Sequence, residues 1–223
     1  MVDVAANLEA VRRRVEAACL RVGRSPSSVR LVAVSKLQPV ERIVAAYEAG
    51  QRDFGENYAQ ELRDKAAALV HLSELRWHAI GALQSNKAGM VAKVAHAFHA
   101  LDRLEIGRAL GRRREVPLDC FVEVNVAEEA SKQGVAPDEA GALLARLREV
   151  AGLRVVGLMG MPPMVGDDPN EARPWFARLR RLAGELGLPE LSMGTTEDFE
   201  VAIEEGATVV RVGRSIFGER AAR

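Results

Sequence analysis

The sequence predicts an α/β chain: a single (β/α)8 TIM-type barrel with an extra N-terminal helix, residues 1–223 forming one domain. Three observations carry this. Short apolar segments, many of them β-branched, alternate with helical patterns along the chain. Strict alternation means parallel strands joined by right-handed crossovers, and eight such units suggest closure into a barrel. The 223 residues suit one barrel, with no linker, low-complexity segment or composition shift to mark a second domain. Polar residues gather at the carboxyl ends of the strands, where barrels place their working groups.

The elements follow in order. Leu8, Val11, Val15, Ala18 and Val22 recur at helical spacing, predicting a helix over Ala5–Val22 that Gly23 and Ser25-Pro26 terminate. Val29–Val34 is a short β-branched run and reads as the first buried strand. Further strands are expected at Asp53–Gly55, Arg76–Ile80, Ala97–Leu101, Leu118–Val124, Leu153–Leu158, Leu191–Met193 and Val209–Val212. Helices are expected at Val40–Ala49, Ala59–Leu69, Lys87–Val94, Leu104–Arg113, Pro137–Val150, Glu171–Leu186 and Thr196–Glu205. The longest loop runs from Gly160 to Asn170 and is rich in Pro, Gly and Asp.

Charge excludes some partners. Lys plus Arg number 31 and Asp plus Glu number 31, so no electrostatic footprint for nucleic acid or an anionic membrane is present. Arg112-Arg113-Arg114 reads as a solvated helix end. No apolar run approaches the roughly 20 residues of a membrane span, and no secretory signal is visible. The two cysteines, Cys19 and Cys120, lack metal or redox spacing, and Cys120 in its apolar run reads as a small buried hydrophobe. A cytoplasmic, reducing compartment is expected.

The strand ends carry the chemistry. Lys36 directly follows the first strand. A lysine desolvated at a barrel mouth can supply a neutral amine that attacks an aldehyde. Ser192, Gly194 and Thr196 after the seventh strand, with Gly213-Arg214-Ser215 after the eighth, offer hydroxyls and backbone N–H groups to a phosphate. N-capping by Thr195 or Thr196 is the plainer alternative for one of these ends. Arg211 interrupts the apolar run Val209–Val212 and needs a buried partner, either a carboxylate or a ring nitrogen, because guanidinium only donates. His78 reads as packed or hydrogen-bonded within the barrel, Trp77 and Trp175 as packing residues, and Glu56 and Tyr58 as caps for the Ala59–Leu69 helix.

These strings closely resemble the pyridoxal 5′-phosphate (PLP) homeostasis protein family, PLP-binding proteins of the alanine-racemase-like, fold-type III barrel. The matching segments are Val32–Lys36, Phe54–Tyr58, Trp77-His78 with Ile80-Gly81, Leu83-Gln84 with Asn86-Lys87, Val124-Asn125 with Lys132 and Gly134, Gly157–Met159, Leu191–Gly194, and Val210–Gly213 with Ile216–Gly218. They span almost the whole chain in order. The resemblance implies PLP held covalently as an internal aldimine on Lys36, with Arg211 facing the pyridine nitrogen and Asn57 near the ring. It also implies phosphate contacts from Ser192, Gly213 and Arg214. Two departures stand out. Thr195-Thr196 replace a Met-Ser pair, Thr196 keeping the hydroxyl, and Arg214 stands where a small residue is common, which favours its backbone N–H as the contact.

Two function classes follow. One is a PLP carrier or buffer that hands the cofactor to apo-PLP enzymes; the other is a PLP-dependent racemase or decarboxylase of low activity. A barrel enzyme acting on a phosphorylated metabolite is a third. Arg211 can only donate and would keep the ring nitrogen unprotonated, which weakens the electron sink. With two tyrosines, Tyr47 and Tyr58, and no sign of a second domain to bring another base, the carrier is expected, without strong turnover and as a monomer.

Overall fold

The structure, a computed structural model, describes residues 2–129, 132–163 and 166–218. Among these, eight parallel strands close into a barrel in chain order. They are β1 (Arg30–Val34), β2 (Asp53–Glu56), β3 (Arg76–Ala79), β4 (Ala97–Leu101), β5 (Leu118–Val124), β6 (Leu153–Gly160), β7 (Glu190–Ser192) and β8 (Val209–Val212). Closure comes from β1 pairing with β8, where Val32 lies opposite Arg211. The expected fold is therefore observed, and the two shortest expected strands, β2 and β7, are both part of the barrel. The long loop after β6 includes Met164 and Val165, which lie outside the described residues.

The helices are α1 (Val4–Arg21), α2 (Val40–Glu48), α3 (Ala59–Ala68), α4 (Ala88–Val94), α5 (Leu104–Gly111), α6 (Ala140–Arg148), α7 (Arg173–Glu185), α8 (Phe199–Glu204) and α9 (Arg214–Phe217). The additional N-terminal helix is α1. Asp3 caps it by accepting from the Ala6 N–H at 2.9 Å, and it buries Leu8, Val11, Val15 and Ala18 of the expected stripe together with Val4, whereas Val22 stands exposed at the C-terminal cap. It fastens to the end of the barrel chain. Asn7 donates to the Ile216 carbonyl, Arg14 pairs with Glu200, and Arg24 donates to the carbonyls of Ile203 and Ala207.

Three local expectations need correction. The helix expected over Thr196–Glu205 begins at Phe199, because the Asp198 carboxylate accepts from both the N–H and the hydroxyl of Thr195 and holds Thr195-Thr196 in a turn. Neither threonine caps the helix; Asp198 stands at the cap position. Glu56 does not cap α3 but forms a buried ion pair with Lys65, and Tyr58 stands at the cap position without a side-chain bond. Arg112 and Arg113 donate to carbonyls of the last turn of α5, and Arg114 to the Ala92 carbonyl, as a helix end requires.

Candidate functional site

The carboxyl ends of the strands surround a cavity of about 350 Å³. Lys36, Asn57, Thr196, Arg211, Gly213 and Arg214 line it together, six of the seven site residues expected from sequence. Apolar walls come from Val34, Ile80, Met159 and Met161. Gly81 lets the wall close up: a Cβ there would stand 2.4 Å from the Asn57 carbonyl oxygen.

Each side chain is placed by its local structure. Lys36 is half-buried in the turn leaving β1, where the Gln38 N–H donates to the Ser35 carbonyl. Thr196 lies in the turn that Asp198 holds, and its hydroxyl oxygen accepts from the Gly213 N–H at 3.3 Å. That leaves the hydroxyl proton available to a ligand. Gly194 makes this turn possible, with φ +90 and room for no side chain beside Ala202 and Phe199. The Arg214 side chain is exposed and pairs with Glu197.

Ser192 departs from expectation. It is fully buried and does not line the cavity, and its hydroxyl is engaged by Arg211 Nη1 at 2.5 Å and by His99 Nδ1 at 2.7 Å. The hydroxyl serves the guanidinium behind the cavity. The chain of bonds continues. His99 Nε2 meets His78 Nδ1 at 2.9 Å, His78 Nε2 meets Asp53 Oδ1 at 2.9 Å, and Arg76 pairs with Asp53 at the outer rim.

The donors and acceptors allow one direction throughout. Asp53 is an ionised acceptor: burial alone would raise its pKa, but hydrogen bonds from His78 and Arg76 hold it well below the usual carboxylate range. His78 therefore donates from Nε2. Burial lowers the pKa of both histidines, so each is neutral with one proton, and His78 Nδ1 must accept from His99 Nε2. His99 Nδ1 is then an acceptor, Ser192 donates to it, and the Ser192 oxygen receives Arg211. The guanidinium itself stays charged at neutral pH, its pKa lowered by burial to about 10.

Among the cavity residues absent from the expected site are Glu123 and Gln133. Glu123, at the end of β5, is buried, and burial with the charge of Asp102 pushes its carboxyl up to about 7 against the opposing influence of Arg211. Its signal in the sequence is a carboxylate between Val122 and Val124. Gln133 arrives because Val135 pairs back onto the end of β5, its N–H donating to the Glu123 carbonyl at 2.8 Å. Such a return pairing leaves no periodic signal.

The comparisons agree with this architecture. The family model for the alanine racemase N-terminal domain matches residues 6–221. The pyridoxal phosphate homeostasis protein of Pseudomonas aeruginosa is 43% identical, covering 99% of this chain and 97% of the relative. The chain belongs to that family. Its Aquifex aeolicus member is 40% identical over 96% of both chains. PipY of Synechococcus elongatus, solved with PLP bound, is 34% identical with a TM-score of 0.84, covering 96% of this chain and 100% of PipY. Alanine racemase from Corynebacterium glutamicum, at 16% identity and TM-score 0.67, shares the fold; the alignment covers 96% of this chain and 62% of the racemase.

Glu123 makes the stability of the ligand-free protein depend on pH. Its folded pKa of about 7 lies above the ordinary 4.5, so the stability tied to its neutral form is present below pH 4.5 and lost as pH rises through 7. Glu123→Gln stays neutral, and urea unfolding should show it more stable than wild type at pH 8 by at most about 3 kcal/mol, with that gain absent at pH 4.5. An equal difference at both pH values would mean that Glu123 does not titrate in this range.

Proposed function

We propose that this chain binds PLP in the cavity, covalently through Lys36, and holds the cofactor for delivery to apo-enzymes rather than turning over a substrate. One observation carries the reading. An amine, a buried guanidinium and a phosphate-sized set of hydroxyl and N–H donors converge on one apolar-walled cavity of about 350 Å³, in the range that takes a cofactor. The support from relatives is their name and the PLP in PipY.

The donor set fits PLP part by part. Lys36 would hold the aldehyde carbon. Val34, Ile80 and Met159 would shield the ring, with Asn57 beside it. Thr196 would donate its free hydroxyl proton to the phosphate, with backbone N–H groups of Gly213 and Arg214 at the same wall. When bound, the cofactor supplies an electron-withdrawing ring conjugated to the amine it holds. Arg211 offers that ring a donor and no acceptor, a setting that leaves the ring nitrogen unprotonated and the withdrawal weak.

A second reading, slow racemase or decarboxylase chemistry, is favoured by Glu123. A carboxyl near pH 7 on the cavity wall has the pKa suited to a general acid or base. Turnover on a panel of L-amino acids, run beside a transfer assay with an apo-PLP enzyme, separates the two. Transfer without turnover is expected; turnover near the ordinary enzyme median of about 10 per second would establish an enzyme instead.

Two further outcomes test the assignment of residues. The protein purified with PLP should be yellow, borohydride should fix the cofactor on Lys36, and Lys36→Ala should keep only weaker binding. Fixation elsewhere in the chain would remove Lys36 from its role. Thr196→Ala should weaken PLP about ten- to hundredfold while leaving pyridoxal nearly unchanged, since only PLP brings the phosphate. Ser192→Ala should weaken both ligands alike, because it acts through Arg211. A phosphate-selective loss for Ser192→Ala would restore it as a phosphate ligand.

A further inference from the structure

Lys65 is a second lysine close to the site, and it is buried, which is rare for lysine without partners. It lies on α3, four residues after Glu61, so both side chains share a helix face. Its ammonium has three donors and three acceptors near it: the Ser35 carbonyl at 2.7 Å, Glu56 Oε1 at 2.8 Å and Glu61 Oε1 at 2.6 Å.

Each acceptor belongs to the Lys36 turn or is bonded to it. The Ser35 carbonyl is part of the peptide group that precedes Lys36. Glu56 Oε1 also accepts from the Ser35 hydroxyl at 2.6 Å. Glu61 Oε1 also accepts from the Leu37 N–H at 2.7 Å, and that N–H belongs to the peptide group that follows Lys36. The two peptide groups flanking the Lys36 Cα are therefore both fastened to one ion cluster on β2 and α3.

The turn needs such a fastening. Leu37 has φ +60, a left-handed conformation that costs a residue with a side chain about 1–2 kcal/mol. Leu37 is also 37% exposed, and its N–H is held by Glu61 Oε1. A buried ion cluster is by itself a weak source of stability, since desolvation offsets most of the attraction. Its distinctive effect here is geometric.

We infer that Lys65, acting with Glu56 and Glu61, is a positioning residue for Lys36, fixing the backbone from which the Lys36 amine reaches the cofactor aldehyde. This rests on the PLP reading of the cavity. It separates two parts of binding. The phosphate contacts come from the ends of β7 and β8 and do not depend on the cluster, whereas capture of the aldehyde by the amine does.

The test compares PLP with pyridoxine 5′-phosphate, which carries the phosphate and the ring but no aldehyde. Both are titrated into wild type, Lys65→Met, Lys36→Ala and the Lys36→Ala/Lys65→Met pair. Lys65→Met should weaken PLP about tenfold or more and pyridoxine 5′-phosphate less than about twofold. It should also reduce borohydride fixation at Lys36. In the Lys36→Ala background the added Lys65→Met should change PLP binding less than about twofold, because no amine remains to be positioned. Should Lys65→Met fail to fold, Glu61→Ala, at a partly exposed position, should give the same selective loss at about threefold to tenfold. Equal losses for both ligands, an equal loss in the Lys36→Ala background, or no loss at all would overturn the inference while leaving wild-type capture of PLP intact. A wild type that holds pyridoxine 5′-phosphate as tightly as PLP would instead overturn the reading of the site and the inference with it.

Discussion

A guanidinium buried in the middle of a barrel has to be given acceptors, and the interior of this protein is arranged around that need. Arg211 is 5% exposed and its strand is flanked by apolar neighbours, so its donors need acceptors within the protein. The barrel answers with a line of polar side chains across its interior, from Ser192 through His99 and His78 to Asp53. The line has one consistent direction because it ends on an ionised carboxylate that can only accept. Remove that anchor, and either histidine can reverse its tautomer; Ser192 is then free to donate elsewhere and Arg211 loses its fixed acceptor. Asp53 lies at the amino end of β2, beside Arg76. A residue at the rim associated with stability thus bears on the rim associated with ligands.

That line also explains the division of labour at the cavity. Ser192 looks from sequence like a phosphate ligand because it is a hydroxyl at the end of β7. Two bonds already occupy it, so the cavity hydroxyl on this side is Thr196, four residues later, presented by the turn that Asp198 holds. The amine side is organised differently. There the backbone of the Lys36 turn is tied to Lys65 and Glu61 from α3, outside the barrel interior. The guanidinium and the amine are held by separate networks, one within the barrel and one between the barrel and its helix layer. A substitution in one need not disturb the other.

Much of this was legible in the sequence, for physical reasons. Short apolar segments alternating with helical patterns predicted the barrel; β2 and β7 contain no β-branched residue and were legible only from their place in that alternation. Lys36 and Arg211 stood out since each is a charge abutting or interrupting an apolar strand. What stayed hidden depends on contacts remote in sequence. Ser192 and His99 lie 93 residues apart, and nothing local in either tells that they meet. Lys65 reads as an ordinary helix lysine until α3 is placed against Ser35 and Glu56. The start of α8 was misplaced because Asp198 competes for the Thr195 N–H, a side-chain choice that periodicity does not record.

The two networks together bear on why such a site suits a carrier. Catalysis on PLP uses the ring as an electron sink, which a carboxylate at the ring nitrogen strengthens and an arginine there weakens. Here the acidic groups are placed elsewhere: Asp53 is spent at the far end of the line, and Glu56 and Glu61 are spent on Lys65. Glu123 is the carboxyl that reaches the cavity, and burial keeps it partly protonated near neutral pH. Ionised, it would oppose Arg211 across the cavity; neutral, it leaves the guanidinium as the main charge facing the ring. On the proposed PLP reading, the two networks would serve the capture of an aldehyde and a phosphate. On the same reading, Arg211, which donates and cannot accept, would leave the ring nitrogen unprotonated and the ring poorly prepared for bond-breaking.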